Sequence, residues 1–269
     1  MLRLPAVAGQ FYPASAEDLL RVVRELAPQD PEKSKKRVKA CLVPHAGYVY
    51  SGAVTGAVLS RIEIPPKVLV LGVRHYPRGE SAAILSEGAW RTPLGDAEID
   101  APLAENCKSR CTLLKEDAVA HAQEHSLEVQ LPFLQVLAPG FRFVPIALGT
   151  IRFEELERIG EAVARVIASS EEENLLLVTS DLNHYEDEVT TQKKDAKAIA
   201  ELERMDPRGL YETCRNESIS MCGLGPAVAM LFALRVLGVA WAEVVEHATS
   251  AAVSRDYRRV VGYAGMVFG

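Results

Sequence analysis

Three of the six histidines in this 269-residue chain stand just beyond apolar, β-rich runs. VKACLV runs into Pro44-His45, KVLVLG into Val73-Arg74-His75, and NLLLVTS into Asp181-Leu182-Asn183-His184. Imidazole is the commonest metal ligand and titrates near neutrality. Three imidazoles converging on one sheet edge therefore point to a metal site, an acid/base site, or both. Any one of them alone is more often a satisfied surface or loop histidine. Cys222, in SMCGLGPAV, adds a thiol. Gly223 and Gly225 permit unusual backbone angles there, and Pro226 can open a helix at its first position. The thiol is then expected just before a helix N-terminus, where the dipole favours thiolate. The bland alternative is a small buried hydrophobe. Asp181 either orients His184 through a hydrogen bond or caps the following turn.

A competing pattern is HAQEH, residues 121–125, which matches the inverted zinc-protease motif H-x-x-E-H. On a helix, His121 and His125 would hold zinc and Glu124 would act as base. Only three positions are fixed, and the upstream KEDAVA is polar. A helix starting near Ser126 would put both histidines at its entrance rather than along one face, so the protease reading carries little weight.

The elements that must position these residues alternate. Ser15 is expected to cap a first helix, AEDLLRVVRELA, with Asp18 three residues on. KVKACLV and KVLVLG are continuous apolar strands of the kind covered on both faces, and SGAVTGAVLSRI between them is a helix of small residues. Together they form a βαβ unit. HSLEVQLPFLQVL reads as helix, with Pro132 marking a kink or break. FRFVPIAL is a strand, FEELERIGEAVARVIASS an amphipathic helix and NLLLVTS a buried strand. TQKKDAKAIAELERM and AVAMLFALRVLGVA are helices, and RVVGYAGMVF closes the chain as a strand. Residues 82–100 read as turns and short strands. The pattern predicts an α/β fold: residues 1–269 as one three-layer domain, with a mostly parallel or mixed sheet and helices on both faces. In such sheets ligands bind beyond the carboxyl ends of the strands, where the histidines fall.

Composition narrows the function classes. Apolar residues make up 48% and charged residues 25%, as in ordinary soluble domains. A net charge of −6 lacks the basic face that nucleic-acid binding needs. No run approaches the roughly 18 apolar residues of a membrane span. The N-terminus shows no signal-peptide core. Five cysteines at irregular positions argue against a disulfide framework and for a reducing cytoplasm.

The segments PHAGYVYSG, LGVRH, WRTPLGD, EHSLEVQLPFLQ, TSDLNHY and MCGLGP resemble, in the same order, the signature segments of the Memo family. Its prokaryotic members are called AmmeMemoRadiSam system protein B. The resemblance runs from AVAGQFYPAS to the closing strand. It implies a fold similar to class III extradiol ring-cleaving dioxygenases, which hold non-haem Fe(II) with two histidines and a glutamate. In the Memo family a cysteine replaces the glutamate. Matched block by block, the resemblance implies His45, His75 and Cys222 as metal ligands and His184 as the acid/base residue. It implies His125 and Glu128 near the pocket, and Asp181 as the aspartate of the acid/base block. Val73-Arg74 stands where proline plus a small polar residue is usual, which would put Arg74 beside the pocket.

Two imidazoles and a thiolate accept Fe(II), Cu(I) or Zn(II) more readily than Mg(II) or Ca(II), and the resemblance implies Fe(II) first. The first expectation is a metal-dependent redox enzyme acting on a small molecule or biomolecule. The second is a binding module for a small-molecule or peptide ligand, in a cleft rimmed by Phe11, Tyr48 and Tyr50. Phosphotyrosine-peptide binding is attributed to animal members, and Arg74 would favour an anion. The family name further implies a functional link to radical-SAM and AMMECR-like proteins.

Overall fold

A computed structural model of the chain describes residues 1–29 and 34–269. The first elements are strand β1 (Leu2–Arg3), helix α1 (Ala16–Leu26), β2 (Ala40–Val43), α2 (Tyr48–Leu59) and β3 (Lys67–Val73). Three short strands follow: β4 (Ala82–Ile84), β5 (Ala89–Thr92) and β6 (Gly95–Ile99). Then come α3 (Ala101–Arg110), β7 (Lys115–Glu116), α4 (Ala118–His121), a 3₁₀ turn at Glu128–Gln130 and α5 (Leu131–Leu137). The second half holds β8 (Arg142–Leu148), α6 (Phe153–Ala168), β9 (Asn174–Thr179), β10 (Asp181–Glu186), α7 (Glu188–Glu203) and α8 (Pro207–Asn216). The chain closes with α9 (Leu224–Leu237), β11 (Ala242–Thr249), α10 (Ala251–Ser254) and β12 (Val260–Phe268).

The strands form one mixed sheet in the order β1-β5-β6-β8-β3-β9-β2-β12-β10. Its centre, β8-β3-β9-β2, is parallel. Residues such as Leu69, Leu71, Leu176 and Val178 are fully buried there. Each such side chain contributes roughly 1.5–3 kcal/mol, which explains why these strands read as unbroken apolar runs. Helices cover both faces. α6 packs on α9, which lies along β9, β3 and β2, while α2 lies against β2, β12 and β11. α1 starts where expected, with Ser15 Oγ accepting the Asp18 N–H.

One feature of the topology opens the site. β12 pairs with β11 along Gly262–Phe268 on one edge. On its other edge it pairs with β2 at Met266–Phe268 and with β10 at Val260–Tyr263. β10 therefore takes over where β2 leaves the sheet at Val43. The segment read as a strand end, DLNHYE, is itself a strand filling that vacancy.

Other expectations need correction. α3, α8 and β11 were not anticipated. The 125–137 segment is not one helix: a turn and a 3₁₀ segment precede α5, in which Pro132 takes the second position, where its missing N–H is harmless. α9 begins at Leu224, so Pro226 is its third residue rather than its first. Gly223 and Gly225 have no positive φ. They are required by close approach instead. A Cβ on Gly223 would lie 2.5 Å from the Thr179 carbonyl oxygen, and one on Gly225 would lie 2.8 Å from that of Thr150. Among the described residues, no helix is long and apolar enough to cross a membrane.

Candidate metal and acid–base centre

Each ligand candidate is fixed by groups outside itself. Where β2 ends, the His45 backbone N–H donates to Asp181 Oδ1 at 2.8 Å. The ring is buried, with Nδ1 3.0 Å from Thr179 Oγ1 on the neighbouring strand. With Nδ1 so occupied, Nε2 faces Cys222 Sγ at 3.2 Å. The end of β3 is held by Ser126, whose hydroxyl accepts the Val73 N–H at 3.1 Å and donates to the Val73 carbonyl at 3.0 Å. This docks the 122–127 loop on the strand and brings Glu124 to His75. Glu124 accepts the His75 backbone N–H at 2.6 Å, its Nδ1–H at 2.9 Å and the Ser126 N–H at 2.8 Å. A carboxylate only accepts, so Nδ1 of His75 carries the proton and Nε2 keeps its lone pair. Cys222, just before α9, has its sulfur 3.3 Å from the Asp181 backbone N–H.

The donor atoms of His45, His75 and Cys222 all lie within 4.8 Å of one another. A tetrahedral ion with bonds of about 2.0–2.3 Å places its donors roughly 3.3–3.8 Å apart, so the set fits a single ion with small adjustments. Asp181, His184 and Cys222 form an overlapping group within the same limit. The ring of His125 stacks on that of His75, centroids 4.5 Å apart and planes 18° apart, and meets Phe11 at 4.8 Å. A cleft of about 600 Å³ lies over these groups, lined also by Phe11, Tyr185 and Tyr263. A larger hollow of about 910 Å³, beside Leu26 and Arg61, gathers none of them.

Burial, with the neighbouring His75 adding to it, pushes the pKa of His45 down to about 3. Burial and His45 push that of His125 down to about 4. Both rings are therefore neutral at pH 7 and available as donors. Burial alone would raise the Glu124 carboxyl, but the hydrogen bond and charge of His75 bring it down to about 2. Burial raises the Asp181 carboxyl, against the His45 N–H and the surrounding histidines. Burial, and then the nearby Asp181 carboxylate, push the Cys222 thiol up. The helix dipole is thus outweighed by desolvation, and the thiolate needs a cation beside it.

Several candidates are placed differently from expectation. Asp181 makes no hydrogen bond to the His184 ring; it anchors His45, and the His184 Nδ1 is satisfied by the Ser220 carbonyl at 2.9 Å. Glu128 does not line the cleft, because Arg3, Tyr12 and the Ala6 and Val7 amides use its carboxylate. Tyr48 is buried, its hydroxyl donating to the Val129 carbonyl at 2.6 Å, and Tyr50 is exposed outside the cleft lining. Of the proposed aromatic rim only Phe11 remains. Arg74 turns away, its guanidinium donating to the carbonyls of Arg78 at 3.2 Å and Gly79 at 2.9 Å. In HAQEH, His121 is buried away from His125, with Nδ1 donating to the Asp117 carbonyl at 2.8 Å, so the protease arrangement does not form. Sequence reasoning missed Glu124 as the partner of His75, together with Thr179 and Ser220. The one available hint was Glu124 itself, visible inside the discarded motif.

The sequence profile of Memo-like proteins matches residues 3–267. The MEMO1 family protein MK0963 of Methanopyrus kandleri is 40% identical over 280 residues, covering 100% of this chain and 99% of the relative. A MEMO1 family protein of Aquifex aeolicus is 40% identical over 268 residues, covering 99% of each chain. In three dimensions the chain is similar to an uncharacterized protein, JW3007, of Escherichia coli K12. That match has a TM-score of 0.56 and 11% identity, over 86% of this chain and 100% of the other, and it shows the fold alone. The chain belongs to the Memo-like protein family.

Proposed function

We propose that the protein is a metal-dependent redox enzyme in which His45, His75 and Cys222 hold one ion and His184 transfers a proton to or from the substrate. The observation that carries this reading is the convergence, within 4.8 Å, of three donors from three distant segments. For His75 the nitrogen turned away from the group is already hydrogen-bonded to Glu124, and for His45 it lies against Thr179. A donor set of two imidazoles and one thiolate accepts Fe(II), Cu(I) or Zn(II), and the resemblance to Fe(II) ring-cleaving dioxygenases puts Fe(II) first. Bound there, such an ion supplies Lewis-acid and, for iron or copper, redox chemistry.

The chain's own residues supply the rest. The Ser220 carbonyl commits Nδ1–H of His184, which leaves Nε2 as the nitrogen turned to a substrate. A hydroxyl or thiol of a substrate placed between it and the three donors can give up its proton to that nitrogen. Phe11 and Tyr263 offer apolar walls to a small molecule, and Tyr185 stands exposed at the mouth. The alternative, a ligand- or phosphopeptide-binding module, loses its anion partner with Arg74 directed elsewhere.

The test is metal analysis of protein purified without oxygen. The native chain is expected to hold about one ion, and His45→Ala and Cys222→Ala to lose it. Full retention of metal in both variants ends the proposal. Dioxygen uptake with small phenols and thiols then separates an enzyme from a binding module, which would show affinity without turnover.

A further inference from the structure

The proposed base is braced by Ser220 at the edge of the cleft and, behind it, by Asn183, which does not line the cleft. His184 makes two hydrogen bonds to Ser220: its backbone N–H donates to Oγ at 2.8 Å, and Nδ1–H to the carbonyl at 2.9 Å. Ser220 is held in turn by one side chain. Asn183 Oδ1 accepts the Ser220 N–H and the Ser220 O–H, each at 3.2 Å. The carboxamide of Asn183 is fully buried. Its nitrogen donates to Glu186 Oε2 at 2.7 Å and to Thr191 Oγ1 at 3.3 Å, which fixes which end faces Ser220. The Asn183 backbone N–H donates to Asp195 Oδ1 at 3.0 Å, and His247 meets the other oxygen of that buried carboxylate at 3.0 Å. Tyr185, directly after the base, has φ of 64°. That region is uncommon for an aromatic residue and persists only where the surroundings over-determine it.

The geometry points to Asn183 as a positioning residue that fixes the tautomer of His184 by holding Ser220. The inference rests on the role proposed for His184. Without the Asn183 oxygen, Ser220 loses the acceptor of both its N–H and its O–H, and its carbonyl is no longer held against Nδ1. The ring is then free to move its proton to Nε2, the atom that must stay unprotonated to act as a base. Ser220 also stands two residues before Cys222, so one amide oxygen sets the place of both the base and the loop that carries the sulfur.

The test is ¹⁵N long-range correlation NMR on the metal-free protein, read at a pH where His184 is neutral. The native chain is expected to show the Nδ1–H form. In Asn183→Ala the ratio of Nδ1–H to Nε2–H is expected to fall about 10-fold, the weight of roughly one hydrogen bond. The paired variant Asn183→Asp with Glu186→Gln exchanges the two head groups, keeps an oxygen toward Ser220 and is expected to restore the native ratio. An unchanged ratio in Asn183→Ala, or a ratio that the paired variant fails to restore, overturns the inference. Should Asn183→Ala not fold, Ser220→Ala serves, since that side chain is at the surface. It keeps the carbonyl, and so the tautomer, but is expected to speed amide exchange at His184 about 10-fold; an unchanged rate counts against the bracing. Because no metal is present, failure here is distinguishable from failure of the metal centre.

Discussion

Glu124 lies in the 122–127 loop and Glu128 opens the 3₁₀ turn that follows it, and both are fully buried. They are used for different ends. Glu128 faces four donors: Arg3 Nη1 at 2.7 Å, the Ala6 amide at 2.8 Å, the Val7 amide at 3.1 Å and the Tyr12 hydroxyl at 2.6 Å. Nothing of it is left for a ligand, and it ties the N-terminal segment to the loop. Glu124 faces an imidazole and two amides, so its charge polarises a ring whose other nitrogen is free. The two are linked through Arg3, which also donates to the Glu124 and His121 carbonyls, each at 2.7 Å, and lies 4.0 Å over Trp90. What separates scaffold from site is the partner of the carboxylate, not its burial.

The largest effect should come from the scaffold. Glu128→Ala leaves the Arg3 guanidinium buried without its counter-charge, and breaking such a pair costs about 3–5 kcal/mol. Urea unfolding checks this, while metal bound per folded molecule should stay unchanged. A loss under about 1 kcal/mol would show that the pair is not the anchor described.

Acid is the next lever, and it acts on Glu124. Its pKa is depressed from 4.5 to about 2 in the folded metal-free protein. A depressed carboxyl contributes stability that is complete above its ordinary value and is lost as pH falls through the folded one. The contribution should therefore fade between about pH 4.5 and pH 2, and is worth on the order of 3 kcal/mol. Unfolding curves of Glu124→Gln should lack this slope. Equal slopes in both proteins would remove Glu124 from the account.

At neutral pH the same substitution should act on the ion. Losing a carboxylate that orients a ligating histidine typically costs about 10–100-fold in metal affinity. Competition with a chelator measures it, and the expected loss for Glu124→Gln is about 10-fold. Glu128→Gln, compared at equal folded fraction, should fall within about twofold of the native chain. The smallest effect belongs to Arg74→Ala. With its guanidinium bonded to Arg78 and Gly79, binding in the cleft, including that of a phosphorylated peptide, should not change.

The contrast also explains what the sequence revealed. The central strands were legible because β2, β3 and β9 are buried on both faces and carry polar residues only at their ends. The ligands were legible because a histidine or cysteine after such a strand or before a helix is chemically conspicuous. Partner choice was not. Glu124 meets His75 only because Ser126 docks a loop on β3, and Glu128 meets Arg3 across most of the chain's first half. Neither pairing leaves a spacing to read. Arg74 next to His75 suggested a cation at the pocket, but adjacent residues leave a strand end in different directions. The Pro207 and Asp206 start of α8 was readable as a cap followed by proline. The polar edge strand β11, half-exposed and carrying Glu243 and Glu246, gave little apolar signal.

The central claim concerns one ion and three donors, and X-ray absorption on the anaerobically purified, metal-loaded protein addresses it most directly. The expected spectrum contains a single sulfur scatterer at about 2.3 Å and two imidazole nitrogens at about 2.0–2.1 Å, with the sulfur absent in Cys222→Ser. A native spectrum with only nitrogen and oxygen neighbours would contradict it.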